Sequence, residues 1–205
     1  MGETVSAERT TGSEHECARH WPRPPQGGWT VDDLFTLPAL PAHTELLDGS
    51  LVFVSPRRRS HDILVFLLRM GLRSSVPPQL RVDGRMTVII DRRNCPEPDL
   101  LVVHKEAVRG LAQTSYPVGD VVLAVEVVSP DSESRDRDTK PHKYAAAGID
   151  HFWLVEMDSD SSAVVRVYER DPVTKTYTST GVHRDRLKLS VPFPIDIDLS
   201  GIDEL

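Results

Sequence analysis

The chain has 205 residues, of which 39% are hydrophobic and 27% are charged, and its formal net charge is −7. This length favours one well-buried domain over two. No stretch approaches the roughly 18 apolar residues of a membrane helix, so we expect no membrane span. The acidic balance argues against a generic nucleic-acid binder, which is normally basic, although arginines concentrate in the first half of the chain.

The two ends of the chain differ in composition. We expect residues 1–28 to form a disordered tail, because they are polar and lack the hydrophobic core of a signal peptide, and residues 29–205 to form a single domain. Neither Cys17 nor Cys95 has a second cysteine at close spacing. This favours two reduced thiols in a cytoplasmic protein.

The first predicted elements are a short helix and a hairpin. Thr30 and Asp33 resemble a capping pair that opens a helix. Asp48-Gly49 is a strong hairpin signal, and it lies between apolar stretches at residues 44–47 and 50–54. The sequence therefore predicts two short antiparallel strands directly after the first helix.

A longer helix and two further strands follow. Apolar residues at helical spacing predict a helix over residues 60–73, with Ser60 as its cap. Strands are expected over residues 80–82 and 86–90, on either side of an Asp83-Gly84 turn.

The second half alternates apolar runs with polar stretches. We expect a short helix over residues 105–111, an exposed loop over residues 129–137, and a helix over residues 140–147 that Gly148 ends. Strands are predicted over residues 100–103, 121–128, 152–155, 163–168 and 177–179. Mostly strands, with helices before and after the central pair, predict a mixed α/β (α+β) architecture around one sheet.

A single carboxylate, Glu126, interrupts an apolar run of the kind that forms a strand buried on both faces. An ionised carboxylate there needs a partner, a proton or a metal. Asp99 stands at the entrance of another buried strand, and if the two strands are antiparallel neighbours, the carboxylates meet. Such a pair suits Mg²⁺ or Mn²⁺. The alternative is a buried Glu that pairs with an arginine for packing.

Lys140 falls in the first turn of its predicted helix, where the macrodipole disfavours a cation. Facing the two acids would offset this, and would place an ammonium where it can stabilise an attacking water or a developing oxyanion. Tyr144 follows one turn later on the same face. A solvated Lys and a core Tyr are the alternatives. Two acids and a lysine around one sheet are the parts of a metal-dependent phosphodiester-cleaving site.

Several spaced motifs resemble the signature of the "Uma two" (Uma2) restriction endonucleases, a family of the PD-(D/E)XK nuclease superfamily. The downstream motifs are Glu126-Val-Val-Ser-Pro130, Asp136, Lys140, Tyr144, Ala-Gly148-Ile and Phe152-Trp153-Leu-Val. The upstream motifs are Glu45-Leu-Leu-Asp-Gly49, Ser55-Pro56 with His61, and Pro98-Asp99. The resemblance covers about residues 29–168.

The resemblance implies a restriction endonuclease-like fold, in which helices flank a mixed central sheet. It also implies that Asp99 and Glu126 are the two acids that hold Mg²⁺ or Mn²⁺. The superfamily pattern Glu-x-Lys has Val128 at its lysine position here, so the lysine is expected from the helix, as Lys140. Glu45 corresponds to an N-terminal acid that supports the metal site.

Three further residues are accessory candidates. His61 matches a recurring family histidine, and a structural histidine at a helix start is the alternative. Asp136 is either a further member of the site or a loop residue that orders the helix entrance. Tyr144 is the third accessory candidate.

The function implied is a Mg²⁺-dependent DNA endonuclease. Because cleavage of both strands by a small nuclease calls for two sites related by a twofold axis, a homodimer is expected. One alternative is a catalytically idle member that binds nucleic acid or a protein partner. The other is a phosphoesterase that acts on a smaller substrate.

Overall fold

The computed structural model describes residues 23–158 and 162–200. Most of the predicted tail, including Cys17, lies outside the described residues. The helices are α1 (Val31–Thr36), α2 (Arg59–Ser75) and α3 (Lys140–Ala147), with 3₁₀ turns at Lys105–Ala107 and Val118–Asp120 and a π-helical turn at Arg135–Thr139. The strands are β1 (Glu45–Leu47), β2 (Ser50–Val52), β3 (Leu80–Asp83), β4 (Thr87–Ile89), β5 (Leu100–His104), β6 (Ser115–Pro117), β7 (Val121–Val127), β8 (His151–Met157), β9 (Ala163–Asp171), β10 (Thr176–His183), β11 (Arg186–Leu189) and β12 (Ile195–Asp198).

A six-stranded sheet organises the molecule, in the order β10-β9-β8-β7-β5-β3. β7 and β8 are parallel, and the other neighbours are antiparallel. Parallel neighbours need a crossover connection, and here the π-helical turn and α3 supply it. The expected mixed α+β fold with a central mixed sheet is therefore confirmed.

Apolar side chains cover both faces of this sheet. On one face, α2 buries Leu64, Leu68 and Leu72, which are spaced at single helical turns. On the other face, Tyr144 of α3 packs in a cluster with Phe152 of β8. Since side chains alternate along a strand, Glu126 of β7 shares its face with Ala124 of that second cluster. The buried carboxylate thus points to the side of the sheet that carries α3.

The N-terminal elements agree with the sequence predictions. Thr30 and Asp33 form a reciprocal capping box at the start of α1, and β1 and β2 pair across Asp48-Gly49. Gly49 has a φ of +78°, which suits glycine in a tight turn. The long helix differs slightly, because it begins at Arg59 and no side chain caps it. The prediction of Ser60 as the cap was therefore wrong.

Two predictions in the middle of the chain were also wrong. β3 and β4 do not pair across Asp83-Gly84: β3 joins the large sheet beside β5, whereas β4 pairs with β6. The expected helix over residues 105–111 is a single 3₁₀ turn. The Gln113 side chain accepts the Arg109 N–H at 2.8 Å, and such a local bond competes with helix formation.

The predicted exposed loop over residues 129–137 instead runs into the π-helical turn. Asp136 in that turn is buried, because its carboxylate pairs with Lys140 four residues later. Polarity alone suggested exposure, whereas the ion pair permits burial.

Among the residues that the structure describes, no helix is long and apolar enough to cross a membrane.

Candidate active site

Asp99 and Glu126 come from neighbouring strands. β5 and β7 are antiparallel, with Leu100 opposite Val125, so Asp99 lies directly before β5 and faces the end of β7. Both carboxylates are almost fully buried, with exposed fractions of 3% and 2%. They line the same small cavity, of about 30 Å³. The sheet register therefore brings together the two acids that the sequence pattern singled out.

Lys140 lies at the centre of the carboxylate cluster. Its Nζ is 2.9 Å from Oε1 of Glu45, 3.1 Å from Oε2 of Glu126 and 3.1 Å from Oδ1 of Asp136. All three carboxylates are within ion-pair distance of the one ammonium. Burial by itself would lower the pKa of Lys140, but the three acids hold it well above its ordinary value. The ammonium is therefore charged at neutral pH.

Glu126 is held from two sides. Its Oε1 accepts a 2.6 Å hydrogen bond from the Tyr144 hydroxyl, and its Oε2 accepts one from Lys140. Burial raises the pKa of Glu126 well above its ordinary value, Lys140 opposes this, and Asp136, Asp99 and Glu45 raise it further. One lysine thus does not neutralise all of the negative charge around Glu126. Tyr144 fixes the orientation of the carboxylate.

Asp99 has a separate set of partners. It accepts hydrogen bonds from Arg57 and from the Val127 N–H at 2.8 Å, and its Oδ2 lies 3.2 Å from Nε2 of His61. Burial would raise the pKa of Asp99, but His61, Arg57 and the Val127 amide together hold it below its ordinary value. Asp99 is therefore ionised at neutral pH, in contrast to the raised pKa of Glu126.

Glu45 reaches the cluster from the hairpin. A bridge between Leu46 and Cys95 ties β1 to the segment before β5, and the Glu45 carboxylate accepts the Glu97 N–H at 2.8 Å. The same carboxylate oxygen contacts Lys140. The hairpin thus brings an acid from a distant part of the sequence onto the same lysine as Glu126.

His61 and Asp136 also reach the cavity. His61 lies in the first turn of α2, where its Nε2 is in contact with Asp99 and with Arg57 at 3.3 Å. Its Nδ1 has no hydrogen-bond partner in the described part of the chain. Asp136 is buried, and burial raises its pKa although Lys140 and Ser132 lower it. His61 supports Asp99, and Asp136 supports Lys140.

Two arginines of the cavity were not singled out from the sequence. Arg57 lies just before α2 and binds Asp99. Arg135 opens the π-helical turn and lines the cavity beside Lys140. Arg57 stands in a run of three arginines and Arg135 in a polar stretch, so neither differs by pattern from a surface residue. The nearest signal for Arg57 is its position directly after the Ser55-Pro56 motif.

The donor set of the cavity suits a hard cation. The acids that line it are Glu45, Glu97, Asp99, Glu126, Asp131 and Asp136, whereas its cationic side chains are Arg57, Arg135 and Lys140. Carboxylate oxygens are the ligands that Mg²⁺ prefers, and 30 Å³ is enough space for a water-sized particle. Within residues 23–158 and 162–200, however, no group of three or more His, Cys, Asp or Glu side chains is arranged around a single ion position. The acids converge instead on Lys140 and Arg57.

Comparison with known structures identifies the fold. A crystal structure described as "a putative nuclease belonging to DUF820 from Anabaena variabilis" matches with a TM-score of 0.59 and 16% identity, over 86% of this chain and 92% of that one. At this identity the likeness concerns the fold alone. The molecule thus shares the mixed α+β fold of that structure, with a buried acid–lysine cluster near the end of β7.

The sequence places the chain more narrowly. Residues 31–200 match the model of the family described as "Uma2: Putative restriction endonuclease". This match spans most of the chain, and the protein belongs to the Uma2 family. A search of the curated proteins finds no match. The family named from the spaced motifs is therefore confirmed.

Proposed function

We propose that the protein is a metal-dependent endonuclease that hydrolyses phosphodiester bonds in DNA. The observation that carries the proposal is the convergence of Glu126, Glu45 and Asp136 on the buried Lys140, with Asp99 lining the same cavity. Family membership supports a nuclease-like function. Two acids and a lysine in one cavity are the groups that metal-assisted phosphodiester hydrolysis uses.

Asp99 and Glu126 would hold Mg²⁺ or Mn²⁺, and Glu45 would support them. When bound, the cation would supply a water of lowered pKa and neutralise charge on the phosphate. The surplus of carboxylates over cations in the cavity supports this assignment. The pKa of Glu126 is raised first by burial and then by neighbouring acids, and an added positive charge would relieve this repulsion.

The other residues would hold the two acids in position. Tyr144 fixes one oxygen of Glu126, and Lys140 contacts the other. The positive charge of Lys140 lies close to the place where negative charge would develop on the substrate, and fixed charges of this kind stabilise a transition state. Asp136 holds the ammonium in place, while His61 and Arg57 hold Asp99.

A catalytically idle binding protein is the second candidate. The observation that favours it is the neutralisation already present: Lys140 contacts three acids, and Arg57 contacts Asp99. In this arrangement four of the acids have cationic partners without a metal ion. A phosphoesterase on a smaller substrate is a third candidate, because the same acids and lysine would serve the hydrolysis of other phosphate esters.

Cleavage of supercoiled plasmid and linear DNA tests the proposal. We expect nicking or linearisation with Mg²⁺ or Mn²⁺, none with EDTA, and none by Glu126→Gln in either metal. Ca²⁺ is expected to support little turnover, because its looser coordination positions water less well. DNA left intact by the wild type with both metals would favour the idle binder. Equal cleavage by wild type and Glu126→Gln would indicate a contaminating nuclease and would remove the basis of the proposal.

We also propose a homodimer that acts in the cytoplasm. Two active sites related by a twofold axis would allow cleavage of both strands. Cys95 is a buried free thiol, which agrees with a reducing compartment. Sedimentation velocity at micromolar concentration is expected to give the mass of two chains. A single-chain mass with and without DNA would contradict the dimer.

A further inference from the structure

Arg135 differs from the other cations of the cavity. Lys140 and Arg57 both pair with buried acids, whereas Arg135 forms no ion pair with any residue in the described ranges. Its Nε is buried and has no hydrogen-bond partner there. A buried N–H group without an acceptor is unfavourable, so this guanidinium calls for an acceptor from outside the chain.

Arg137, in the same turn, forms ordinary ion pairs. Arg137 lies two residues later and is 45% exposed, and it pairs with Glu133 at 3.2 Å and with Glu156 at 2.6 Å. Arg135 stands in a cavity lined by six acids and pairs with none of them. Carboxylates are therefore present in the cavity, but none of them forms an ion pair with Arg135 or accepts a hydrogen bond from its Nε.

The backbone places Arg135 at the edge of the cavity. The π-helical turn begins at Arg135, and the next residue, Asp136, is buried against Lys140. Arg135 itself is only half-buried, so it lines the cavity while part of the residue is open to solvent. π-helical turns are rare and occur often at functional sites. In this turn two consecutive residues line the same cavity, the half-buried Arg135 and the buried Asp136.

We propose that Arg135 binds a phosphate group of the substrate. The ligand class is a phosphodiester, or a phosphate monoester if the substrate is small. A planar guanidinium presents paired N–H donors that match two phosphate oxygens. The surrounding carboxylates would otherwise repel an anion, and a free cation at the edge of the cavity offsets this repulsion. The inference rests on the proposed function, because that function brings a phosphate to the cavity.

Binding without turnover tests the assignment. Affinity for fluorescein-labelled single-stranded and duplex oligonucleotides is measured by anisotropy in EDTA for the wild type, Arg135→Gln and Arg137→Gln. We expect Arg135→Gln to bind at least about tenfold more weakly, since a charge-assisted hydrogen bond is lost. The slope of log affinity against log salt should fall by about one. The matched control Arg137→Gln should stay within about twofold of the wild type.

A second ligand separates this inference from the nuclease proposal. Inorganic phosphate, compared with chloride at equal ionic strength, should raise the melting temperature of the wild type but not of Arg135→Gln. If phosphate does so while neither oligonucleotide binds the wild type, the phosphate site stands and the DNA substrate is wrong. If oligonucleotides bind wild type and Arg135→Gln equally, or if neither ligand distinguishes the two proteins, the inference is overturned. Without ligand, Arg135→Gln should melt no lower than the wild type, because Arg135 has no ion pair to lose within the residues that the structure describes.

Discussion

The ammonium of Lys140 lies 3.1 Å from Oε2 of Glu126, and both side chains are almost completely buried. This pair joins the first residue of α3 to the end of β7, and so connects the crossover helix to the centre of the sheet. Glu45 and Asp136 share the same ammonium. The lysine is consequently both the charge that balances the acids and a link between three parts of the chain.

Replacement of Lys140 by Met should strongly destabilise the fold. The change leaves three buried carboxylates without their common partner, and removing one member of a buried ion pair costs about 3–5 kcal/mol. Urea unfolding at neutral pH measures the loss. The matched control is Lys143→Met on the same helix, which breaks a pair with the exposed Asp48 and should cost at most about 1 kcal/mol. Equal losses for the two variants would contradict the role given to Lys140.

Tyr144→Phe should destabilise the protein by about 1–3 kcal/mol without altering the fold. The ring remains packed beside Phe152, but Oε1 of Glu126 loses its 2.6 Å hydrogen bond inside the protein. Unfolding in urea gives the free-energy change, and circular dichroism checks the fold. A stability equal to that of the wild type would mean that Glu126 does not need this hydroxyl.

The stability of the protein should depend on pH through Glu126. Its pKa is raised in the folded state by burial and by nearby acids, so the folded protein holds the proton more tightly than the unfolded chain does. The stabilisation that Glu126 contributes to the folded state is fully present below its ordinary pKa of about 4.5. It is lost as the pH rises through the folded-state pKa.

Comparison with Glu126→Gln isolates this effect. The free energy of unfolding of the wild type, minus that of Glu126→Gln, should fall in urea titrations as the pH rises above about 4.5, the ordinary pKa of this group. A difference that rises with pH for Glu126 would mean that its pKa is lowered on folding, contrary to the structure.

Gly84→Ala should displace the start of β5, next to Asp99, and so destabilise the protein. A Cβ at Gly84 would lie 2.8 Å from the carbonyl oxygen of Asp99 and 3.2 Å from Cδ2 of Leu100, so the start of β5 would have to shift. Overpacking of this kind typically costs about 1–3 kcal/mol. Gly110→Ala is the control, since no atom lies within 4 Å of the added Cβ. Melting temperatures of both variants would be compared, and no effect at Gly84 would contradict the close approach.

Local sequence signals were enough for part of the fold. The capping box at Thr30 and the Asp48-Gly49 turn depend on neighbouring residues only, and both predictions were confirmed. The pairing of β4 with β6 was not foreseen, because it depends on contacts between residues far apart in the sequence. A polar pattern also misled the interpretation of residues 129–137, since burial of Asp136 depends on its partner Lys140.

The candidate site was likewise predicted only in part, because some of its residues stand out in the sequence and others do not. Glu126 stood out because a charge inside an apolar run is unusual, and Asp99 because it stands before another such run. Lys140 stood out because a cation in the first turn of a helix is unusual, Glu45 came from the family resemblance, and the structure places both on the same cluster. Arg57 and Arg135 are ordinary surface residues by pattern. Only the three-dimensional arrangement shows that Arg57 holds Asp99 and that Nε of Arg135 has no hydrogen-bond partner in the described part of the chain.

The central claim is that Asp99 and Glu126 hold a divalent cation, and calorimetric titration with Mn²⁺ tests it most directly. We expect the wild type to bind one Mn²⁺ per chain, with competition by Mg²⁺, and Asp99→Asn and Glu126→Gln each to lose this binding while remaining folded. Glu133→Gln, the exposed control, should bind as the wild type does. Absence of Mn²⁺ binding by the wild type, or unchanged binding by Asp99→Asn and Glu126→Gln, would contradict the claim.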